Sequence, residues 1–198
     1  MPPPAQVHSR RLPTSTAMGV MGSPVPSKPI SVVDLLTSRG ARLRQVTARE
    51  RSEQLESTPW SQKLKWREQE GIGLYLQAFH LPKGTLLFRE GDPGLFVALI
   101  TSGLIEIQKI DSDRQSHVVA RTGRGKMVGE MSLIDGAFRS ATAIASEDSE
   151  VLILSRDDFE RMGHERPDLA LKYALMIAEA IAQLLRQTTC ALVDHLDA

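Results

Sequence analysis

The chain has almost no cysteine and no net charge, and it lacks any long apolar run. Cys190 is the single cysteine among 198 residues. One thiol closes no intramolecular disulfide and builds no cysteine-based zinc site, so a reducing, cytoplasmic setting is expected. Lys+Arg and Asp+Glu number 24 each, so no whole-chain field favours DNA, an anionic membrane or acidic substrates. Any recognition of an anion must then be local. No stretch is long and apolar enough to span a bilayer, and the start of the chain lacks the apolar core of a signal peptide. The five histidines, His8, His80, His117, His164 and His195, are scattered, and no pair has metal-ligand spacing. Nucleophile-elbow and Walker motifs are missing too. Gly123-Arg124-Gly125-Lys126 is followed by Met127 rather than Ser or Thr and opens no helix. No metal or cofactor, no membrane partner and no enzymatic activity are expected.

What is present suffices for one well-buried domain with extensions. Residues 1–30 hold most of the prolines, with Ser, Thr and Gly between them, and read as a disordered leader or a docking tail. Residues 31–70 read as helical. Ser31 caps a helix starting at Val32, and the stretch through Ser57 stays helix-compatible. Its arginines face nearby glutamates and suggest a solvated surface rather than a nucleic-acid face. Pro59 starts a second short helical piece, which Gly71 and Gly73 end.

Residues 71–157 change character. LYLQAFHL, TLLFRE, LFVALI, LIEIQKI, HVVART, TAIAS and VLILS are short alternating or wholly apolar runs. Turn chemistry separates them, at Pro82-Lys83-Gly84, Gly91-Asp92-Pro93-Gly94 and Asp111-Ser112-Asp113 among others. Strands this close leave no room for crossover helices, so the pattern predicts a mainly β fold, a sandwich or barrel, rather than a parallel α/β sheet. Residues 158–198 return to helix: Arg156 to Met162 forms a short one, and Pro167 opens a long one.

Between two strand-like runs lies VGEMSLIDGAFRSATAIA, residues 128–145, too long for a hairpin turn. Gly129 permits unusual backbone angles and close approach of a ligand. Residues from Glu130 to Ile134 can form a helical turn with free N–H groups at its start. Arg139 supplies a planar, permanently charged fork suited to phosphate oxygens, and Ser140 adds a hydroxyl beside it. Glu130, acceptor-only when ionised, suits a sugar hydroxyl. Phosphate with a sugar hydroxyl is what a nucleotide offers.

VGEMSLIDGAFRSATA resembles the phosphate-binding cassette of the cyclic-nucleotide-binding domains. These occur in the catabolite activator protein, the regulatory subunit of cAMP-dependent protein kinase and gated ion channels. The resemblance extends upstream through KGTLLFREGDPG and downstream through VLILSRDDFERM to the Pro167 helix, about residues 82–185. It implies a jelly-roll-like β-roll with N-terminal helices and a long C-terminal helix, binding cAMP, with cGMP as the alternative. Glu130 would then hold the ribose 2′-hydroxyl and Arg139 the exocyclic phosphate oxygens. Backbone N–H groups near Met131, Ser132 and Ser140 would complete the cradle behind Gly129. Gln183 and Gln187 are the nearest polar candidates over the base. Three positions depart from the family pattern. Phe138 stands where a proline usually precedes the arginine, Ala98 where an aromatic often lies, and Leu184 and Leu185 where a polar side chain often covers the base.

Residues Pro167 to Leu196 are apolar on two faces, one through Ala170, Ala174, Ile177, Ile181 and Leu184, the other through Leu171, Leu175, Ala178 and Leu185. The first can pack on the roll, and the second suggests a parallel homodimer. The chain stops soon afterwards, so a helix-turn-helix module and direct DNA binding are not expected. The expectation is a stand-alone sensor or regulatory subunit, acting on an unknown downstream protein through movement of its C-terminal helix. The alternatives are a β-roll that no longer binds nucleotide and serves as a scaffold, or a receptor for a cyclic dinucleotide such as c-di-GMP.

Overall fold

The computed structural model describes residues 30–196, with side chains through Cys190. The leader expected over residues 1–30 lies, but for Ile30, outside them. In chain order come α1 (Val32–Ser38), β1 (Arg42–Leu43), α2 (Ala48–Glu56), a 3-10 turn (Pro59–Lys63) and α3 (Trp66–Gly73). The strands follow: β2 (Gln77–Leu81), β3 (Leu86–Phe88), β4 (Phe96–Ser102), β5 (Leu104–Ile110), β6 (Ser116–Gly123) and β7 (Met127–Val128). Then come α4 (Glu130–Asp135), β8 (Thr142–Ala145), β9 (Ser149–Ser155), α5 (Arg156–Glu165) and α6 (Pro167–Leu196).

The strands form two antiparallel sheets, ordered β1-β2-β9-β4-β7 and β3-β8-β5-β6. This is the mainly β fold that the strand spacing predicts, with the roll and flanking helices that the resemblance implies. The difference between wholly apolar and alternating runs now has its cause. In β4, Phe96, Ala98 and Ile100 face the space between the sheets, while Val97 and Leu99 face the helices. In β9, Val151 and Ile153 face inward, and Leu152 and Leu154 meet the helical layer. Both faces of the sheet at β4 and β9 are therefore dry, and the inner stretches of these two strands carry no polar alternation. β5 belongs to the other sheet and alternates, with Ile105 buried and Glu106 ion-paired to Arg121 at 3.0 Å.

The helical layer closes a second core. Leu55, Trp60, Ile72, Tyr75, Leu169, Tyr173, Met176 and Ile177 pack on the outer face of the first sheet. Trp60 and Tyr173 meet with ring centroids 5.8 Å apart. The first predicted face of α6 is thus its roll-facing side, through Ala170 and Ile177.

The helix-compatible stretch from Ser31 to Ser57 is interrupted. Ser31 does cap α1, accepting from the Asp34 N–H, but Gly40 adopts φ +94° and turns the chain into β1. β1 pairs with the free edge of β2, Arg42 opposite His80. Helix resumes only at Thr47, which forms a reciprocal capping box with Glu50. Among the described residues, no helix is long and apolar enough to cross a membrane. No group of His, Cys, Asp and Glu among them could hold a metal ion.

Candidate ligand-binding site

β7 ends at Val128, and the chain must turn sharply into α4. Gly129 makes that turn at φ +80°, and Gly136 ends α4 at φ +72°. Between them α4 is anchored by Leu133, 3% exposed, and by Glu130 and Ser132, both buried. The chain returns through Phe138 and Arg139 to β8. A cavity of about 680 Å³ opens between this loop, the β5–β6 sheet and α6. Gly129, Glu130, Met131, Ser132, Arg139, Ser140, Gln183 and Gln187 all line it. Every residue singled out in the sequence as a candidate for ligand binding therefore faces one hollow.

Arg139 sits deepest. It is 2% exposed, its Cζ lies 4.1 Å from the Phe88 ring centroid and 4.8 Å from that of Phe96, and the two rings meet edge-to-face. Nη1 donates to the Gly129 carbonyl at 2.8 Å and Nη2 to the Phe96 carbonyl at 2.5 Å. Its buried Nε has no protein partner. A guanidinium carries five donors, so these two bonds leave it under-satisfied in a dry place. Burial pulls its pKa down to about 10, against the pull of the Glu130 charge. It remains a cation at neutral pH.

Glu130 is 9% exposed. Burial raises its pKa, while its own backbone N–H and the Arg139 charge act the other way. The pair thus holds opposite charges at the cavity wall, each partly desolvated. A carboxylate with a raised native pKa keeps its proton to higher pH in the folded chain than in the unfolded one. Its contribution to stability is therefore lost as pH rises from the ordinary carboxylate range through the raised value. Glu130→Gln, neutral at every pH, is expected to be the more stable protein at neutral pH, its advantage shrinking toward acid. Urea titrations of both proteins between about pH 4 and pH 8 check this; a constant difference across that range would contradict it.

Met131, Ser140, Gln183 and Gln187 occupy the rim. Met131 is 43% exposed, and Ser140, Gln183 and Gln187 are exposed. The Thr188 hydroxyl is turned back to the Leu184 carbonyl at 2.9 Å, and Glu179 is paired with Lys63, so the two glutamines are the neutral amides that α6 offers to the cavity. The three departures from pattern also find their places. Phe138 is 71% exposed, and Arg139 is instead held by its backbone: its N–H donates to the Asp92 carbonyl at 2.8 Å, and its carbonyl accepts from the Gly91 N–H at 2.9 Å. Ala98 is small, but Phe96 and Phe88 supply the aromatic volume beside the arginine. Leu184, 46% exposed, lines the cavity as an apolar lid residue.

Several contributors escaped the sequence reading. Phe88 and Phe96 form the bed of Arg139. Arg156 reaches from α5 to the Gly94 carbonyl at 3.3 Å and to the Ser132 carbonyl, joining the cavity loop to the helical layer. Gly94 lets that happen, since a Cβ there would stand 2.3 Å from the Ser132 Cβ. The glycine-rich Gly91–Gly94 turn was a legible signal for a close approach; Arg156 had none.

Residues 78–166 match the cyclic nucleotide-binding domain family. The chain is 34% identical over 109 residues to the cyclic AMP receptor protein of Thermus thermophilus, a stretch covering 55% of this chain and 50% of that protein. It is 35% identical over 108 residues to the cAMP-dependent protein kinase regulatory subunit of Aspergillus fumigatus, covering 54% of this chain and 25% of the relative. This chain thus spans half the length of the first and a quarter of the second. A cyclic nucleotide-binding domain from Methylobacillus flagellatus superposes with a TM-score of 0.66 at 26% identity, over 75% of this chain and 83% of that one. Residues 78–166 are thus similar to the cyclic nucleotide-binding domains, and the fold agrees with that of a solved domain of this kind.

Proposed function

We propose that this chain binds a cyclic mononucleotide, cAMP first among them, in the cavity beneath α6 and works as a regulatory element rather than as an enzyme. Arg139 takes the cyclic phosphate, and Glu130 accepts a hydrogen bond from the ribose 2′-hydroxyl. Gly129 and the backbone of Met131, Ser132 and Ser140 complete the cradle. The base lies against Leu184, with Gln183 and Gln187 at its edge. One observation carries the reading: a buried guanidinium with an unpartnered Nε shares a cavity wall with a buried carboxylate. An anion bearing a neighbouring hydroxyl satisfies both. The names of the two relatives, a cyclic AMP receptor and a cAMP-dependent kinase subunit, favour cAMP.

Because α6 supplies part of the cavity wall, a ligand that binds one α6 position better than another shifts the helix between them. The exposed seam of Leu171, Leu175 and Leu185, at 64%, 57% and 66% exposure, supports pairing with a second copy through α6. A mass by sizing that stays monomeric at every concentration would remove the pairing.

Calorimetric titration with cAMP, cGMP and c-di-GMP tests the ligand assignment. The cyclic dinucleotide belongs in that panel because Lys63, Arg121 and Arg124 line the same cavity and could meet a second phosphate. Heat with none of the three would leave a non-binding scaffold as the reading. Glu130→Ala is expected to weaken cAMP by about tenfold, as for a lost charged hydrogen bond. It is also expected to bind cAMP and 2′-deoxy-cAMP alike. Undiminished discrimination would contradict the ribose role.

A further inference from the structure

The N-terminal helix does not line the cavity, yet one of its flanking side chains reaches the element that holds Arg139. α1 is anchored by Leu36, fully buried between the sheets, and ends at Ser38. Arg39 caps it and points across the roll. Its Nη1 donates to the Leu87 carbonyl at 2.7 Å, and its Nη2 to the Asp92 carboxylate at 2.9 Å. The two side chains are 19% and 28% exposed, so water screens the pair only in part. The same Asp92 oxygen accepts from the Arg89 N–H at 2.9 Å, which closes the turn.

That turn is the backbone frame of the ligand-holding arginine. Asp92 and Gly91 bond the Arg139 main chain from both sides, at 2.8 and 2.9 Å, and the Phe96 carbonyl accepts from its guanidinium. Asp92 faces Arg39 and Arg89, and burial, which would raise its pKa, is outweighed by their bonds, so it stays ionised at neutral pH. An aspartate fixed at its carboxylate by one helix and at its carbonyl by Arg139 links the two mechanically.

We infer that Arg39 is a positioning residue for Arg139: through Asp92 it fixes the Gly91–Phe96 turn, and so makes the N-terminal segment a lever on the ligand cavity. The inference rests on the cavity being the nucleotide site. Linkage makes the lever reciprocal, so bound nucleotide lowers the equilibrium population of undocked α1 by the factor by which docked α1 tightens the nucleotide.

A control is built into the same segment. Arg44 pairs with Glu150 at 2.9 Å and ties the chain just beyond β1 to β9, away from the turn. Wild type, Arg39→Ala, Arg39→Lys and Arg44→Ala are titrated with cAMP, and backbone hydrogen exchange is followed in the nucleotide-free proteins. Arg39→Ala is expected to weaken cAMP about fivefold, the low end for coupled sites, and to speed exchange at the Gly91 and Arg139 amides. Arg39→Lys, with charge but no fork, is expected to fall between. Arg44→Ala is expected to leave both readouts at wild type. Unchanged cAMP affinity in Arg39→Ala, or equal losses in Arg39→Ala and Arg44→Ala, overturns the inference. If wild type binds no nucleotide, the functional reading falls by itself, and the exchange at Gly91 and Arg139 alone decides the positioning role. Should Arg39→Ala fail to fold, Asp92→Asn removes only the charge and carries the same comparison.

Discussion

Arg139→Ala is expected to lose nearly all affinity for cAMP while the fold survives. Truncating a buried, hydrogen-bonded partner of a charged group costs about 2–5 kcal/mol, or roughly thirtyfold to several-thousandfold in Kd. The effect on stability is smaller because two terms oppose. Without the guanidinium, the Gly129 and Phe96 carbonyls lose donors and two phenyl rings lose their stacking partner, a loss of about 2–4 kcal/mol. Yet the native chain holds that cation at a pKa that burial pulls down to about 10, a net burden of about 3 kcal/mol that the substitution relieves. The net shift in Tm is expected to stay within a few degrees. Wild-type affinity in this variant would dismiss the phosphate assignment; a collapse of the fold would show that the arginine is chiefly structural.

Gly129→Ala is expected to do both kinds of damage. Its φ of +80° costs an alanine about 1–2 kcal/mol. The added Cβ would stand 2.2 Å from Arg139 Nη1 and 3.2 Å from Phe88 Cε1. The arginine is the softer neighbour and must leave its bed, so binding falls about as far as in Arg139→Ala, and a fall in Tm accompanies it. Gly84→Ala separates strain from displacement, since Gly84 has φ +85° and nothing within 4 Å of its Cβ position. It is expected to lose stability alone. Equal cAMP affinity in the Gly129 and Gly84 variants would show that the close approach to Arg139 plays no part in binding.

Both outcomes turn on a feature the sequence expressed only in part. The cassette was legible because its chemistry is local: a glycine for the turn, a carboxylate beside it, an arginine nine positions on. Residues near in sequence are held near in space by a short loop, and the resemblance running over about residues 82–185 is what marked them as one site. The strands were legible for the same reason, each bounded by turn residues and marked by its own periodicity. β1 and β7, two residues each, were not, because two residues carry no period. The stretch after Ser31 kept a helical composition that Gly40 and the free edge of β2 overrode.

What the amino-acid order determined by itself was the mainly β fold, the flanking helices and eight of the residues that line the cavity. Local propensity and burial pattern specify these wherever neighbouring residues agree. Only the tertiary structure decided how Arg139 is held. Its partners are main-chain carbonyls of Gly129 and Phe96 and the main chain of Asp92, and every residue carries those groups, so no sequence pattern marks them. The same holds for Arg39, 53 positions from Asp92, whose partner is chosen by the packing of α1 between two sheets. Contacts closed over such distances depend on the whole fold being in place.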